Sequence, residues 1–129
     1  MSSGSTRSQS LTLARYALYT IDSSDNGTMV ARTANDTTIL GVASTLFTRS
    51  FDTAGGYPST YNLVAGQRYA IGFVQVGTTP GSLIGSGGIT QVWGLNPKLC
   101  SVLNSQSDLP TSFTTTTNTG GALWSRISG

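Results

Sequence analysis

The sequence contains no histidine and no glutamate, and it has one cysteine and one lysine. Without histidine, the Ser-His-Asp and Cys-His catalytic arrangements and imidazole metal ligands are excluded. Only 9% of the residues are charged, whereas an ordinary domain is about one quarter charged and builds its exposed helices largely from Glu, Lys, Arg and Ala. The composition therefore excludes most solvated helices and predicts a surface of hydroxyl groups, amides and glycine.

Other features that the sequence lacks bear on membranes, nucleic acids and disulfide bonds. No stretch approaches the roughly 18 apolar residues of a membrane span, and the polar segment 1–10 has no apolar region of a secretion signal. We therefore predict synthesis in the cytoplasm and no membrane contact. The net charge is +2, and the arginines are scattered along the chain rather than gathered into a basic stripe. This pattern predicts no nucleic-acid binding. Cys100 has no disulfide partner and no activating histidine, which favours a buried apolar role over a nucleophilic one.

Alternating side chains indicate β-strands. Residues 11–21 carry apolar or aromatic side chains on both alternating faces, which predicts a central strand. Asn26-Gly27 is a strong hairpin signal because both residues tolerate positive φ. It predicts a return strand over 28–33 that pairs with the first strand.

Further strands are predicted downstream. The segment 68–76 has aromatic and branched side chains on one face, so it is the strongest core-strand candidate, paired with 60–64 through a turn at Ala65-Gly66. Additional strands are expected within 39–51, 89–93 and 122–127. Turn residues recur every 8 to 14 positions or so. We therefore predict an all-β fold, an antiparallel β-sandwich of jelly-roll type over 11–129, preceded by an N-terminal arm over 1–10.

The aspartates offer little for catalysis. Two carboxylates can hydrolyse a glycosidic bond, but four of the five aspartates lie in turn segments that contain Ser, Asn or Gly, where they usually bond their own backbone. These four are Asp22, Asp25, Asp36 and Asp52. The segment 22–27 also resembles part of a calcium loop, yet the terminal Glu of such a loop is missing and a plain hairpin is favoured. We predict no enzymatic activity, no metal and no cofactor.

A few aromatic and amide side chains are candidates for sugar binding. An exposed ring can stack on the apolar face of a sugar while polar neighbours bond its hydroxyl groups. The candidate residues are Tyr57, Tyr61, Trp93 and Asn96. The alternative is structural: Tyr61 and Trp93 pack in the core and Tyr57 holds its loop in place.

Several segments resemble one family of proteins. The segments are RYALYT at 15–20 within 11–22, VARTANDTT at 30–38, YNLVAGQRYAIG at 61–72, SDLP at 107–110 and LWSRI at 123–127. They are similar to the β-sandwich head domains of tailed-bacteriophage minor tail proteins and fibres, and the likeness covers most of residues 11–128. These motifs are structural rather than catalytic.

The resemblance implies a non-enzymatic structural protein on the exterior of a virion, homo-oligomeric and trimeric, whose tip contacts a host glycan. Two departures from the family bear on this expectation. Related domains have a strand upstream of the segment 11–21, whereas only ten polar residues precede it here. The sandwich is then open on that side, or a strand or arm of a neighbouring subunit completes it. The chain also has no room for a shaft, which favours a capsid decoration or cement protein.

We therefore expect the chain to dock onto other virion proteins, through its arm or its open edge. The candidate docking residues are Arg7, Leu11 and Leu13. The alternative is a carbohydrate-binding receptor-recognition head domain of a phage tail protein.

Overall fold

The computed structural model describes residues 1, 3–86, 102–115, 122–123 and 125–128. Within these ranges the chain forms six β-strands and no helix. The strands are β1 (Gln9–Ile21), β2 (Asn26–Arg32), β3 (Arg68–Thr79), β4 (Gly85–Ser86), β5 (Ser112–Thr114) and β6 (Ala122–Leu123). The predicted all-β class is confirmed for the described part of the chain.

Four strands form an antiparallel sheet in the order β3-β1-β2-β5, and β4 pairs with β6 in a separate two-stranded sheet. The first strand is central, as predicted, because it pairs with β2 on one side and with β3 on the other. The expected partner of β3 was wrong: residues 60–64 form no strand, and β1 takes their place along the whole length of β3.

The sheet buries apolar side chains on both faces. On one face, Tyr16 of β1 lies opposite Phe73 of β3 with ring centroids 5.1 Å apart. On the other face, Tyr19 contacts the ring of Phe113 edge-on at 4.9 Å. Packed against the Tyr16 side are Met1, Ala14, Ile39, Leu40, Leu11, Phe47 and Leu83, and against the Tyr19 side are Ala17, Met29, Ile21, Tyr57, Ala70 and Leu109. Segments outside the four-stranded sheet therefore contribute to both layers of the core.

The hairpin between β1 and β2 is confirmed, but its turn lies before Asn26-Gly27. The carboxylate of Asp22 accepts hydrogen bonds from the backbone N–H groups of Ser24 and Asn26, both at 2.8 Å. These bonds close the turn over 23–24, so β2 already begins at Asn26. Gly27 is required for packing instead, because a Cβ atom there would overlap the ring of Phe113.

The N-terminal segment lies on its own chain. Met1, Ser3 and Ser8 are buried, and β1 begins at Gln9, two residues before the predicted strand. The hydroxyl of Ser3 donates to Val42 O at 2.7 Å, and the hydroxyl of Ser8 donates to Ile39 O at 2.9 Å. The segment thereby closes the core on the Tyr16 side of the sheet.

The strands expected within 39–51 are absent from the structure. Thr38 donates from both its N–H and its hydroxyl to the Asp36 carboxylate, which starts a run of turns. Leu40 and Ser44 then have φ values of 63° and 53°, which are incompatible with a continuous strand. Pairing in this segment consists of isolated bridges, among them the bridge between Thr33 and Phe51.

Two other expectations concern the C-terminal third. The predicted strand over 122–127 is confirmed only at Ala122–Leu123, since residues 125–127 are not in a strand. The strand expected over 89–93 and the buried role expected for Cys100 lie outside the described residues.

Candidate assembly edge

Among the described residues, the outer edge of β3 is open. Thr33 N–H donates to Tyr16 O at 2.9 Å, so the backbone groups of Tyr16 face the β2 side. Because consecutive residues of a strand point their backbone groups in opposite directions, those of Arg15 face β3, where its partner is Val74. Val74 therefore faces β1, and its neighbours at odd positions face away from the sheet. The outward-facing residues are Tyr69, Ile71, Phe73 and Gln75.

None of these four residues bonds its backbone N–H or C=O to another residue in the described ranges. Val76, at an even position, faces β1 in the same way. Its carbonyl accepts a hydrogen bond from the hydroxyl of Thr12, which lies where the register of β1 shifts. The edge is thus a row of free donors and acceptors at every second residue.

The outer side of β2, unlike that of β3, is covered by other segments of the chain. Strand β5 pairs with the start of β2, and Met29 N–H donates to Thr111 O at 2.8 Å. At the end of β2, Asp52 N–H donates to Arg32 O at 2.8 Å. Among the described residues the sheet therefore ends in the long open strand β3 on one side and in the three-residue strand β5 on the other.

The composition of β3 leaves the open edge unprotected. No charged residue and no proline occurs from residue 69 to residue 79. Natural edge strands that must stay unpaired usually carry lysine, proline or a bulge. The strand is also held firmly, because the Phe73 ring packs on Tyr16 and the Gly72 backbone lies against the Tyr19 ring. The edge is a rigid, neutral template for another strand.

A loop with exposed apolar side chains precedes β3. Tyr61 contacts Tyr69 edge-on with ring centroids 6.1 Å apart, and Val64 N–H donates to the Tyr69 hydroxyl at 2.9 Å. The side chains of Leu63 and Val64 are exposed. Desolvation, and then the neighbouring Tyr69, raise the pKa of Tyr61. The loop carries no charge, so Arg68 is the only charged residue from 61 to 79.

Where the structure describes them, the candidate glycan-binding residues contact other side chains of the same chain. Tyr57 is half-buried against the Tyr19 cluster, and the Arg32 guanidinium lies over its ring at 5.1 Å from the centroid. Tyr61 contacts Tyr69. Trp93 and Asn96 lie outside the described residues. Sugar binding by this set stays a prediction, and the described geometry favours a packing role for Tyr57.

The candidate docking residues lie in different environments. Arg7 is exposed on the N-terminal segment, whereas Leu11 is half-buried and packs against the core on the Tyr16 side. Leu13 is half-buried on central strand β1, where it pairs with Val76. The three do not form one surface patch on an edge. The sequence analysis did not predict the open edge of β3, because it paired this strand with residues 60–64. The absence of charge from residue 69 to residue 79 is the sequence feature that could have indicated the edge.

Four of the aspartate side chains bond to their own loops or to arginines. Asp22 closes the first turn, and hydrogen bonds from the Asn26 side chain and backbone lower its pKa. Asp36 binds Thr38 and Arg49, and the Thr38 hydroxyl is the largest cause of its lowered pKa. Asp25 is paired with Arg68 and Asp108 with Arg15. No group of three or more metal-ligating side chains occurs in the part of the chain that the structure describes.

No protein-family model matches the sequence, and no curated protein or solved structure is significantly similar to it. Among the described residues, none belongs to a helix long and apolar enough to span a membrane.

Proposed function

We propose that this protein is a non-enzymatic structural subunit on the exterior of a bacteriophage particle, where it docks onto other virion subunits through the open edge of β3. The observation that carries the proposal is the row of backbone groups, unpaired among the described residues, along a strand that carries no charge from residue 69 to residue 79. Strand addition to such an edge is a common mode of protein association, because backbone hydrogen bonds provide affinity without a deep pocket. The phage setting rests on the resemblance of the segments within 11–128.

The finer architecture that we propose is a β-sandwich of jelly-roll type. Its support is the separate β4–β6 pair, which begins two residues after Leu83. Leu83 packs against the core on the Tyr16 side and forms a bridge with Ser3. A second layer built on β4 and β6 would then cover that face of the four-stranded sheet.

The proposal moves the docking surface from the N-terminal arm to β3. The backbone N–H groups of Ser3, Gly4 and Ser8 all donate to carbonyl groups elsewhere in the same chain, which leaves the arm few free backbone groups for a neighbour. The edge of β3 is the better candidate because its outward groups have no such partner among the described residues.

A cryo-electron microscopy map of particles of the phage that encodes this chain tests the proposal. We expect density for the four-stranded sheet on the outer surface of the capsid or tail, with a neighbouring subunit alongside β3. Absence of the chain from purified particles would overturn the proposed function. A subunit bound through the N-terminal segment, with β3 facing solvent, would overturn the docking surface.

A further inference from the structure

We propose that β3 pairs with β3 of a second copy of this chain, antiparallel and across a two-fold axis, to form one continuous eight-stranded sheet. This inference rests on the proposed structural function and names the partner that the open edge receives.

The difference between the two edges of the sheet determines the symmetry. A ring of three or more copies joined by strand pairing needs two different open edges on each copy, because its contacts are heterologous. Here the outer edge of β2 is covered by β5 and by the bond from Asp52 to Arg32. The other edge strand among the described residues, β5, has three residues, whereas β3 has twelve. Pairing along the full length of β3 therefore joins β3 with β3 and closes as a dimer. A trimer would have to use another surface.

The outward-facing residues of β3 also suit a two-fold axis. Tyr69, Ile71, Phe73 and Gln75 are spaced evenly about Gly72. In an antiparallel pair centred on Gly72, Tyr69 lies opposite Gln75 of the second copy and Ile71 lies opposite its Phe73. Each such pair exchanges two backbone hydrogen bonds, so the four pairs form about eight bonds.

The same register brings compatible residues together. The two Gly72 residues meet at the axis as a non-hydrogen-bonded pair, where antiparallel strands are closest, and neither has a side chain to place there. Arg68 lies opposite Val76 of the second copy, so the two Arg68 guanidinium groups are at opposite ends of the interface. Because residues 69–79 carry no charge, no like charges face each other along the pairing.

Amide hydrogen exchange, measured by NMR, tests the pairing on the unmodified protein. The concentration series runs from about 10 µM to 1 mM, which brackets ordinary self-association. We expect the amides of Tyr69, Ile71, Phe73 and Gln75 to exchange at least tenfold more slowly at the high end. The amides of Ala70, Gly72 and Val74 face β1, so they serve as internal controls that stay protected throughout. Light scattering on the same samples should show the mass rising to that of a dimer.

A variant pair provides the second arm. Ile71→Pro removes one outward N–H that makes no bond within the described chain, and proline is tolerated on edge strands. We expect Ile71→Pro to retain the β-sheet circular dichroism spectrum and to remain monomeric, whereas Ile71→Val should dimerise normally. Should Ile71→Pro fail to fold, the exchange measurement on the unmodified protein still decides.

Three results would overturn the inference: a monomer at every concentration, a trimer, or a dimer whose four outward amides stay unprotected. A monomer that still attaches to phage particles would overturn the self-pairing alone and leave the proposed function standing. A dimer that is absent from purified particles would overturn the proposed function and leave the self-pairing standing.

Discussion

The guanidinium of Arg68, at the first residue of β3, donates a 2.8 Å hydrogen bond to the carboxylate of Asp25 in the turn between β1 and β2. The Asp25 side chain is only 7% exposed, and its residue has a φ of 61°. Arg68 also donates to the backbone carbonyl of Asp22. One side chain therefore joins the hairpin turn to a strand that begins 43 residues later, and fixes where β3 begins along β1.

We expect Arg68→Met to lower the free energy of unfolding by about 2 kcal/mol, because the buried carboxylate of Asp25 would lose its charged partner. In an Asp25→Asn background the same change should cost under about 1 kcal/mol, since the amide needs no counter-charge. Asparagine also tolerates the positive φ at this position. Urea unfolding of the four proteins of this cycle gives the coupling; equal costs in both backgrounds would contradict the assignment.

The two core tyrosines should respond differently to loss of their hydroxyl groups. The Tyr19 hydroxyl donates to Pro110 O at 2.8 Å, so Tyr19→Phe should cost about 1 kcal/mol. The Tyr16 hydroxyl is buried and has no hydrogen-bond partner among the described residues, and burial raises the Tyr16 pKa to about 12. Tyr16→Phe should therefore be neutral or slightly stabilising. Equilibrium unfolding in urea measures both, and an equal loss in the two variants would refute the distinction.

Two adjacent glycines provide a matched pair for the loop over Tyr57. Gly55 and Gly56 have φ values of 81° and 82°, so alanine is strained equally at both. Only at Gly55 would the new Cβ overlap the Arg32 guanidinium, which stacks on Tyr57. We expect Gly55→Ala to destabilise the protein by about 1 kcal/mol more than Gly56→Ala. Thermal unfolding of both variants checks this prediction. Equal midpoints would show that the contact between Arg32 and Tyr57 rearranges without loss of stability.

Acid should weaken the loop that follows β2. The pKa of Asp36 is lowered, first by the Thr38 hydroxyl and further by Arg49, so the folded state binds the proton less readily than the unfolded chain. The stabilisation is present above the ordinary aspartate pKa of about 3.9 and is lost as the pH falls through the lower folded value. Asp36→Asn should cost under about 1 kcal/mol at pH 7 and reduce the loss of stability at acid pH.

A series of urea melts from neutral pH down to pH 2 or so measures this dependence. Asp22 contributes with the same sign, because its pKa is also lowered, so Asp36→Asn should flatten the curve only in part. An unchanged acid slope in the variant would show that Asp36 is not responsible.

The central position of β1 was predictable from the sequence because apolar side chains on both alternating faces need cover on both sides. The hairpin to β2 was predictable because Asn26-Gly27, shortly after the first strand, marks a reversal of the chain. The position of its turn was wrong because the Asp22 carboxylate accepts hydrogen bonds from the N–H groups of Ser24 and Asn26. These two bonds outweigh the preference of Asn26-Gly27 for the turn.

The pairing of β3 was not predictable from local pattern. Ala65-Gly66 does form a turn, with Gly66 at a φ of 81°, but Val64 N–H bonds to the Tyr69 hydroxyl instead of extending a strand. Likewise, the branched residues within 39–51 suggested strands, while Asp36 and the positive φ values at Leu40 and Ser44 produce turns. In both places a few long-range or side-chain bonds override strand propensity. The packing of Tyr57 under Arg32 was unpredictable for the same reason, because it depends on distant parts of the chain.

The two pairings of β1 bridge very different lengths of chain. Its contact with β2 needs only a short turn, whereas its contact with β3 must close the whole segment 33–67, and longer loops cost more entropy and slow folding. We expect the hairpin to form first, which pulse-labelled hydrogen exchange would show as earlier protection of Tyr16 than of Arg15. Until β3 arrives, the second edge of β1 is vacant, and β3 from another molecule can occupy it as readily as the chain's own. At high concentration, refolding should therefore yield some strand-exchanged molecules, trapped by the same register that holds the native sheet.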